Sequence, residues 1–158
     1  MAVISPGTPA PDFSLPQSGG GHFRLAETRG RWVVLYFYPK DMTPGCTTEA
    51  CEFRDIHGEL EALGAVVVGV SGDPLASHEK FREKHNLPFP LLADEDLAVA
   101  KLYGAFGEKS FMGRKTQGVL RTTYLIAPDG TVAQVWEKVK AAGHAAQVLE
   151  ELRKRVGK

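Results

Sequence analysis

The stretch WVVLYFYPKDMTPGCTTEACEFRD, Trp32 to Asp55, joins two patterns that together predict an α/β fold. Its first part is a continuous run of apolar, β-branched and aromatic residues, which is typical of a strand buried on both faces. Pro39 ends this run, and Thr43 followed by Pro44 is a helix-start signal. The stretch therefore predicts a buried strand, a short turn and a helix.

The rest of the chain continues this alternation. The segments GAVVVGVSGD and FPLLAD are predicted strands, and PLASHEKFREKHN, EDLAVAKLYG and GHAAQVLEELRKRV are predicted helices. LRTTYLIAPDGTVAQVWEK predicts a hairpin that turns at Pro128–Gly130, QSGGGHF predicts a turn, and GEKSFMGRKTQG predicts a mobile loop. Strands that alternate with helices before a late hairpin predict a mostly parallel sheet with an antiparallel portion, in one domain spanning residues 1–158.

The composition excludes several classes of function. Lys and Arg together number 19, as do Asp and Glu, so no excess charge indicates binding to nucleic acid or to an anionic membrane. The longest apolar runs are far too short to span a bilayer, and the first residues lack the pattern of a signal peptide. Two cysteines are too few for a secreted disulfide framework. We therefore expect a cytoplasmic, reducing location.

The position of Cys46 indicates a chemical role. If Thr43 is the N-cap and Pro44 the first helical residue, Cys46 is the third residue of the helix. Unpaired backbone N–H groups and the positive end of the helix dipole favour an anion there, so this thiol should ionise more readily than an ordinary cysteine. Cys46 also follows the carboxyl end of a buried strand, where sites form in open α/β sheets.

Cys51, the second cysteine, is five residues further along the same predicted helix. In an ideal helix this spacing turns Cys51 by about 140° and separates the two Cα atoms by about 8.6 Å. A disulfide needs roughly 4.4–6.8 Å, so the pair either never bonds or bonds only after the helix unwinds. The spacing matches neither a zinc site nor C-x-x-C, and five histidines at scattered positions 22, 57, 78, 85 and 144 are expected to be structural or superficial.

The segment Pro39–Cys46 has the form P-x-x-x-T-x-x-C, and with TTEACEFRD after it the chain resembles the peroxiredoxins. It is most similar to their bacterioferritin-comigratory-protein or peroxiredoxin Q branch. GTPAPDFSLP, VVGVSGD, FPLLAD, GEKSFMG and RTTYLIAPDG extend the resemblance over nearly the whole chain. It implies a thioredoxin-like fold, with a mixed central sheet flanked by helices, and a thiol-specific peroxidase that reduces hydrogen peroxide and organic hydroperoxides.

The resemblance also implies a role for each residue of the motif. Cys46 would be the nucleophile that attacks the peroxide and becomes a sulfenic acid. Thr43 would hydrogen-bond both the thiolate and the peroxide, and Pro39 would shield the pocket from water. Arg121, at the start of a late strand, would supply positive charge to the reaction.

The remaining implications concern the second half of the cycle. Cys51 would resolve the sulfenic acid as an intrachain disulfide after local unwinding, and thioredoxin or a similar dithiol would reduce that disulfide. Glu49 would orient the arginine. No metal or cofactor is expected; a monomer is expected, with a dimer left open. A redox sensor and a general dithiol oxidoreductase are the rival hypotheses, the second weakened by the absence of C-x-x-C.

Overall fold

The computed structural model describes residues 3–111 and 113–157 of the chain. The strands in these ranges are β1 Ser14–Pro16, β2 His22–Arg24, β3 Trp32–Phe37, β4 Ala65–Ser71, β5 Leu91–Ala93, β6 Phe106–Phe111, β7 Arg114–Val119, β8 Thr122–Ile126 and β9 Val132–Trp136. The α-helices are α1 Pro44–Ala62, α2 Leu75–His85, α3 Ala98–Leu102 and α4 His144–Val156, and Leu25–Thr28 form a short 3₁₀ helix. Every strand and helix predicted from the sequence is present.

Five strands form the central sheet, in the order β5-β4-β3-β8-β9. β3 is parallel to β4, and β4 is parallel to β5, whereas β3 and β9 both pair antiparallel with β8. Parallel and antiparallel pairings are therefore equal in number, so the sheet is mixed, as the resemblance implied, and the prediction from the alternation that it is mostly parallel was wrong. The reason is that the late hairpin joins the sheet at its centre, against β3, where it adds two antiparallel pairings.

The central strand β3 separates two hydrophobic clusters. Val33, Leu35 and Phe37 belong to the cluster on one face, together with residues of α3 and of the segment before β1. Val34 and Tyr36 alternate with them and face the other cluster, which contains residues of α1, α2 and α4. This alternation explains the continuous apolar run in the sequence, since a strand that is covered on both faces needs apolar side chains at every position.

The predicted mobile loop GEKSFMGRKTQG instead forms most of a hairpin. β6 and β7 pair antiparallel from Phe106 opposite Val119 to Phe111 opposite Arg114. The described side chains of β7 from Arg114 to Gln117 are exposed, so no apolar alternation marked these strands in the sequence. Met112, between the two strands, lies outside the described residues.

Among the described helices, none has the length and apolar character needed to cross a membrane.

The strand register brings the start of β8 to the end of β3. Phe37, the last residue of β3, pairs with Thr122, the first residue of β8. The chain leaves β3 through the loop Tyr38–Thr43, which leads directly into α1, while Arg121 immediately precedes β8. One edge of the sheet therefore carries both the first turn of α1 and Arg121.

Candidate active site

Cys46 lies in the first turn of α1. Thr43 is the N-cap residue with extended backbone angles, and Pro44 is the first helical residue, so Cys46 is the third, as the sequence predicted. Its side chain is almost fully buried, on the helix face that also buries Phe53 and Leu60. A buried thiol in an apolar cluster would be chemically inert without a nearby polar partner.

Arg121 provides that partner. Its Nη2 lies 3.2 Å from the sulfur of Cys46, and its Nη1 donates a hydrogen bond of 2.6 Å to Oε1 of Glu49. Burial acts to lower the pKa of Arg121, but its electrostatic interactions and hydrogen bonds with Glu49 and Cys46 more than offset this, so the pKa of Arg121 is raised. The planar guanidinium thus contacts two residues of one helix at once, which a lysine ammonium is poorly shaped to do.

Glu49 is the buried carboxyl group behind this contact. None of its surface is exposed, and burial raises its pKa to about 7, although the nearby charge of Arg121 acts in the opposite direction. Oε1 is paired with Arg121, whereas Oε2 has no hydrogen-bond partner among the described residues. One guanidinium therefore serves two acidic groups in a site largely closed to water.

Thr43 and Pro39 lie in the loop between β3 and α1. The hydroxyl of Thr43 donates its proton to the backbone carbonyl of Lys40 at 2.8 Å. That proton is therefore directed away from the sulfur of Cys46 in this structure, and the expected hydrogen bond from Thr43 to the thiolate stays a prediction. Pro39 is half-buried in the same loop, two residues after the end of β3.

A buried hydrogen-bond network, missed from the sequence, fixes this loop. Asp41 accepts hydrogen bonds from the hydroxyls of Tyr38 and Ser77, at 2.6 and 2.8 Å. The Nδ1 of His78 lies 2.7 Å from Asp41 Oδ2, and the Nε2 of the same ring lies 2.9 Å from the carbonyl oxygen of Leu92. The loop that carries Pro39 and Thr43 is therefore tied to α2 and β5 from inside the protein.

The same loop contains a residue in the left-handed region. Met42 has a φ of 67° and an exposed side chain, and it lies between the anchored Asp41 and the N-cap Thr43. A non-glycine residue with positive φ is uncommon and persists where its surroundings impose it. The network around Asp41 supplies that constraint, so the turn into α1 is held in a defined conformation.

Cys51 lies further along α1, beyond the first turn, and is half-buried. Both cysteines are unpaired, and α1 is continuous from Pro44 to Ala62. In a continuous helix the Cα atoms of residues five apart are about 8.6 Å from each other, beyond the range of a disulfide. The structure therefore corresponds to a state with two separate thiols.

Comparison with known proteins shows the family of this chain. The AhpC/TSA family matches residues 6–135 of the chain. The chain belongs to the AhpC/TSA family. Within it, the chain is 45% identical over 151 residues to Peroxiredoxin Bcp of Bacillus subtilis, with 96% of each chain covered. It is 44% identical over 147 residues to Peroxiredoxin Bcp of Xanthomonas campestris, with 92% of each covered. The protein is thus a peroxiredoxin of the Bcp branch.

Solved structures of this peroxiredoxin branch share the fold. The Xanthomonas campestris bacterioferritin comigratory protein, studied for its alkyl peroxide reduction activity through trapped intermediate and ligand complexes, superposes with a TM-score of 0.89 at 40% identity, covering 96% of this chain and 99% of that one. A PrxQ mutant from Xylella fastidiosa superposes with a TM-score of 0.92 at 34% identity. The superposition covers 98% of this chain and 99% of that one. The expected thioredoxin-like fold is confirmed, and the protein is an oxidoreductase of the peroxidase type.

Proposed function

We propose that this peroxiredoxin reduces hydrogen peroxide and organic hydroperoxides to water and alcohols, with Cys46 as the nucleophile. The observation that carries the proposal is the contact of 3.2 Å between Arg121 Nη2 and the sulfur of Cys46, in the first turn of α1. A guanidinium and the free N–H groups of a helix start both favour a thiolate over a thiol.

In the first step the Cys46 thiolate attacks one oxygen of the peroxide. A sulfur–oxygen bond forms and the oxygen–oxygen bond breaks, so that sulfur becomes a sulfenic acid and the other oxygen leaves and takes up a proton. Negative charge moves from sulfur onto the leaving oxygen during this step. Arg121 is suited to stabilise that moving charge because its position is preset by Glu49 and its fork can reach two atoms.

Thr43 has a more restricted role than the motif implies. Its hydroxyl proton is directed to the carbonyl of Lys40, which leaves only the lone pairs of its oxygen for the substrate. We therefore assign Thr43 as an acceptor for the O–H of the hydroperoxide, which orients the peroxide toward Cys46. Pro39, half-buried in the same loop, would keep water from the reacting atoms.

In the second step Cys51 attacks the sulfenic acid of Cys46, a disulfide forms and water leaves. This requires the first turns of α1 to unwind, because the intact helix holds the two cysteines out of bonding range. Gly45, inside the first turn, weakens the helix by about 0.5–1 kcal/mol relative to alanine and so favours opening. The intact helix thus keeps the two thiols apart during the first step, and its unwinding brings them together for the second.

In the third step an external dithiol reduces the disulfide, and we propose thioredoxin or a similar protein for this role. A cytoplasmic location fits such a cycle, since cytosolic disulfides are transient and catalytic. We also propose a single domain acting as a monomer, because both cysteines of the cycle belong to one chain.

The test combines turnover with trapping. Reduced protein, peroxide, thioredoxin, thioredoxin reductase and NADPH should give sustained NADPH oxidation, and one equivalent of peroxide without reductant should give a Cys46–Cys51 disulfide by mass spectrometry. A single stoichiometric oxidation without turnover, with every reductant tried, would instead favour a redox sensor. Reduction of insulin disulfides in the absence of peroxide would favour a general dithiol oxidoreductase.

A further inference from the structure

Glu49 has an unusual environment for a residue whose only task is to orient an arginine. It is completely buried, and only one of its two carboxyl oxygens is paired with a group in the described residues. An ionised carboxylate with an unpartnered buried oxygen is costly, whereas a neutral carboxylic acid loses much less on leaving water. The surroundings of Glu49 therefore favour a bound proton.

The charges around Glu49 lead to the same conclusion. When Cys46 is a thiolate, its sulfur and Glu49 share the single guanidinium of Arg121. Among the described residues, the other titratable groups coupled to this cluster are Glu52 on α1, Tyr36 on β3, His144 on α4 and, through Tyr36, the acidic Asp41. Burial raises the pKa of Tyr36 and lowers the pKa of His144, so both are neutral near pH 7, and Glu52 adds negative charge. Nothing in this set balances a second anion.

We propose that Glu49 holds a proton while Cys46 is a thiolate and gives it up when Cys46 becomes a sulfenic acid. This inference rests on the proposed function, since it describes a proton balance within the peroxidase step. The balanced reaction joins a Cys46 thiolate, a Glu49 carboxylic acid and a hydroperoxide, and yields a Cys46 sulfenic acid, a Glu49 carboxylate and an alcohol or water. Sulfur loses two electrons to the oxygen–oxygen bond, and the leaving oxygen gains one proton as Glu49 loses one.

The coupling runs through Arg121. Once sulfur carries no charge, the guanidinium is no longer shared and pairs with Glu49 alone, which favours the carboxylate. The pKa of Glu49, raised to about 7 by burial, allows this exchange near neutral pH. Glu49 does not touch the reacting atoms, so it is a positioning residue that keeps the charge of the site constant.

The experiment counts protons in the Cys51→Ser variant, in which oxidation stops at the sulfenic acid. One equivalent of hydrogen peroxide is added at pH 7 in weak buffer with an indicator dye, and proton uptake is divided by the thiolate consumed, followed by its ultraviolet absorbance. With Glu49 intact we expect clearly less than one proton taken up per thiolate, and after Glu49→Gln about one. Glu61→Gln, an exposed change on the same helix, should behave like the parent.

Equal proton uptake in the parent and in the Glu49→Gln variant would overturn the inference while leaving the peroxidase proposal intact. No oxidation of Cys46 in either protein would instead contradict the proposed function itself. If the Glu49→Gln chain does not fold, infrared difference spectra of the Cys51→Ser protein give the answer without it. Peroxide should then remove the carbonyl stretch of a protonated carboxyl group, and an unchanged band would overturn the inference.

Discussion

The guanidinium of Arg121 lies 3.2 Å from the sulfur of Cys46, although the two residues are 75 positions apart in the chain. Helix α1 holds the sulfur at its first turn, and the pairing of Phe37 with Thr122 brings the residue before β8 to the same edge of the sheet. The contact between Arg121 and Cys46 therefore depends on two local structures and one strand register. Substitutions of the residues on either side of this contact should have measurable effects on the reaction.

Replacing Arg121 should slow the first step. Arg121→Ala removes a preset donor from the moving charge, which typically costs about 2–4 kcal/mol of barrier. Arg121→Lys should recover only part of this loss, since an ammonium cannot contact Cys46 and Glu49 as a fork. Stopped-flow measurement of Cys46 oxidation by peroxide tests this, with Arg114→Ala on the exposed hairpin as the control. An unchanged rate in Arg121→Ala would remove Arg121 from the mechanism.

The two cysteines should fail in different ways. Cys46→Ser should abolish peroxide consumption, because the attacking sulfur is gone. Cys51→Ser should keep a normal first turnover and then stop as a sulfenic acid, which a dimedone-type reagent labels and mass spectrometry detects. Loss of the first turnover to the same extent in both variants would show that the proposed division of labour is wrong.

Gly45→Ala should slow both steps, for separate reasons. A Cβ at this position would lie 3.2 Å from Arg121 Nη2, so the guanidinium must move by a few tenths of an ångström relative to Cys46 and Glu49. Alanine also strengthens the first helical turn by about 0.5–1 kcal/mol, which should slow disulfide formation up to roughly fivefold. Gly58→Ala is the matched control, because it lies in the same helix with nothing within 4 Å of an added Cβ. It should leave both rates unchanged.

Asp41→Ala should destabilise the protein severely. It leaves the buried ring of His78 and the hydroxyls of Tyr38 and Ser77 without their acceptor. Leaving a buried hydrogen-bonding group without its partner typically costs about 1–3 kcal/mol of unfolding free energy, and here three groups lose theirs. Glu59→Ala breaks the exposed pair with Arg153 and should cost about 1 kcal/mol or less. Urea unfolding under reducing conditions measures both, and similar losses would contradict the anchoring role of Asp41.

Glu49→Gln should change how stability depends on pH. The pKa of Glu49 is raised from 4.5 to about 7 in the folded protein, so the unfolded chain ionises first as pH rises. Glu49 therefore makes its full contribution to the free energy of unfolding below about pH 4. This contribution falls by on the order of 3 kcal/mol as the pH increases to 7. Compared with Glu49→Gln, the unsubstituted protein should lose stability over this window. Urea unfolding between pH 4.5 and 8 measures the free energy of unfolding of both proteins. If this free energy changes with pH in the same way in both, the raised pKa of Glu49 is contradicted.

Much of the fold was readable from local patterns. The apolar run of β3, the Thr43–Pro44 start of α1 and the turn at Pro128–Gly130 all depend on residues adjacent in sequence, and the structure confirms each of them. The β6–β7 hairpin was missed because polar side chains give it no alternation, and pairing between the two strands alone defines it. The resemblance implied a mixed sheet correctly, but the alternation of strands and helices overestimated its parallel part, because the position of β8 beside β3 depends on packing of distant segments.

Some features of the candidate site also follow from local sequence, and others follow only from the packing of distant segments. The place of Cys46 in the first turn of a helix, and the distance that an intact helix imposes on Cys51, follow from cap residues and helix geometry that act within a few positions. Three other features do not follow from helix geometry or cap residues. They are the direction of the Thr43 hydroxyl, the burial of the Glu49 carboxyl group and the contact between Asp41 and His78. These depend on strand register and on exclusion of water, which arise only when segments far apart in the chain pack together, so no local pattern encodes them.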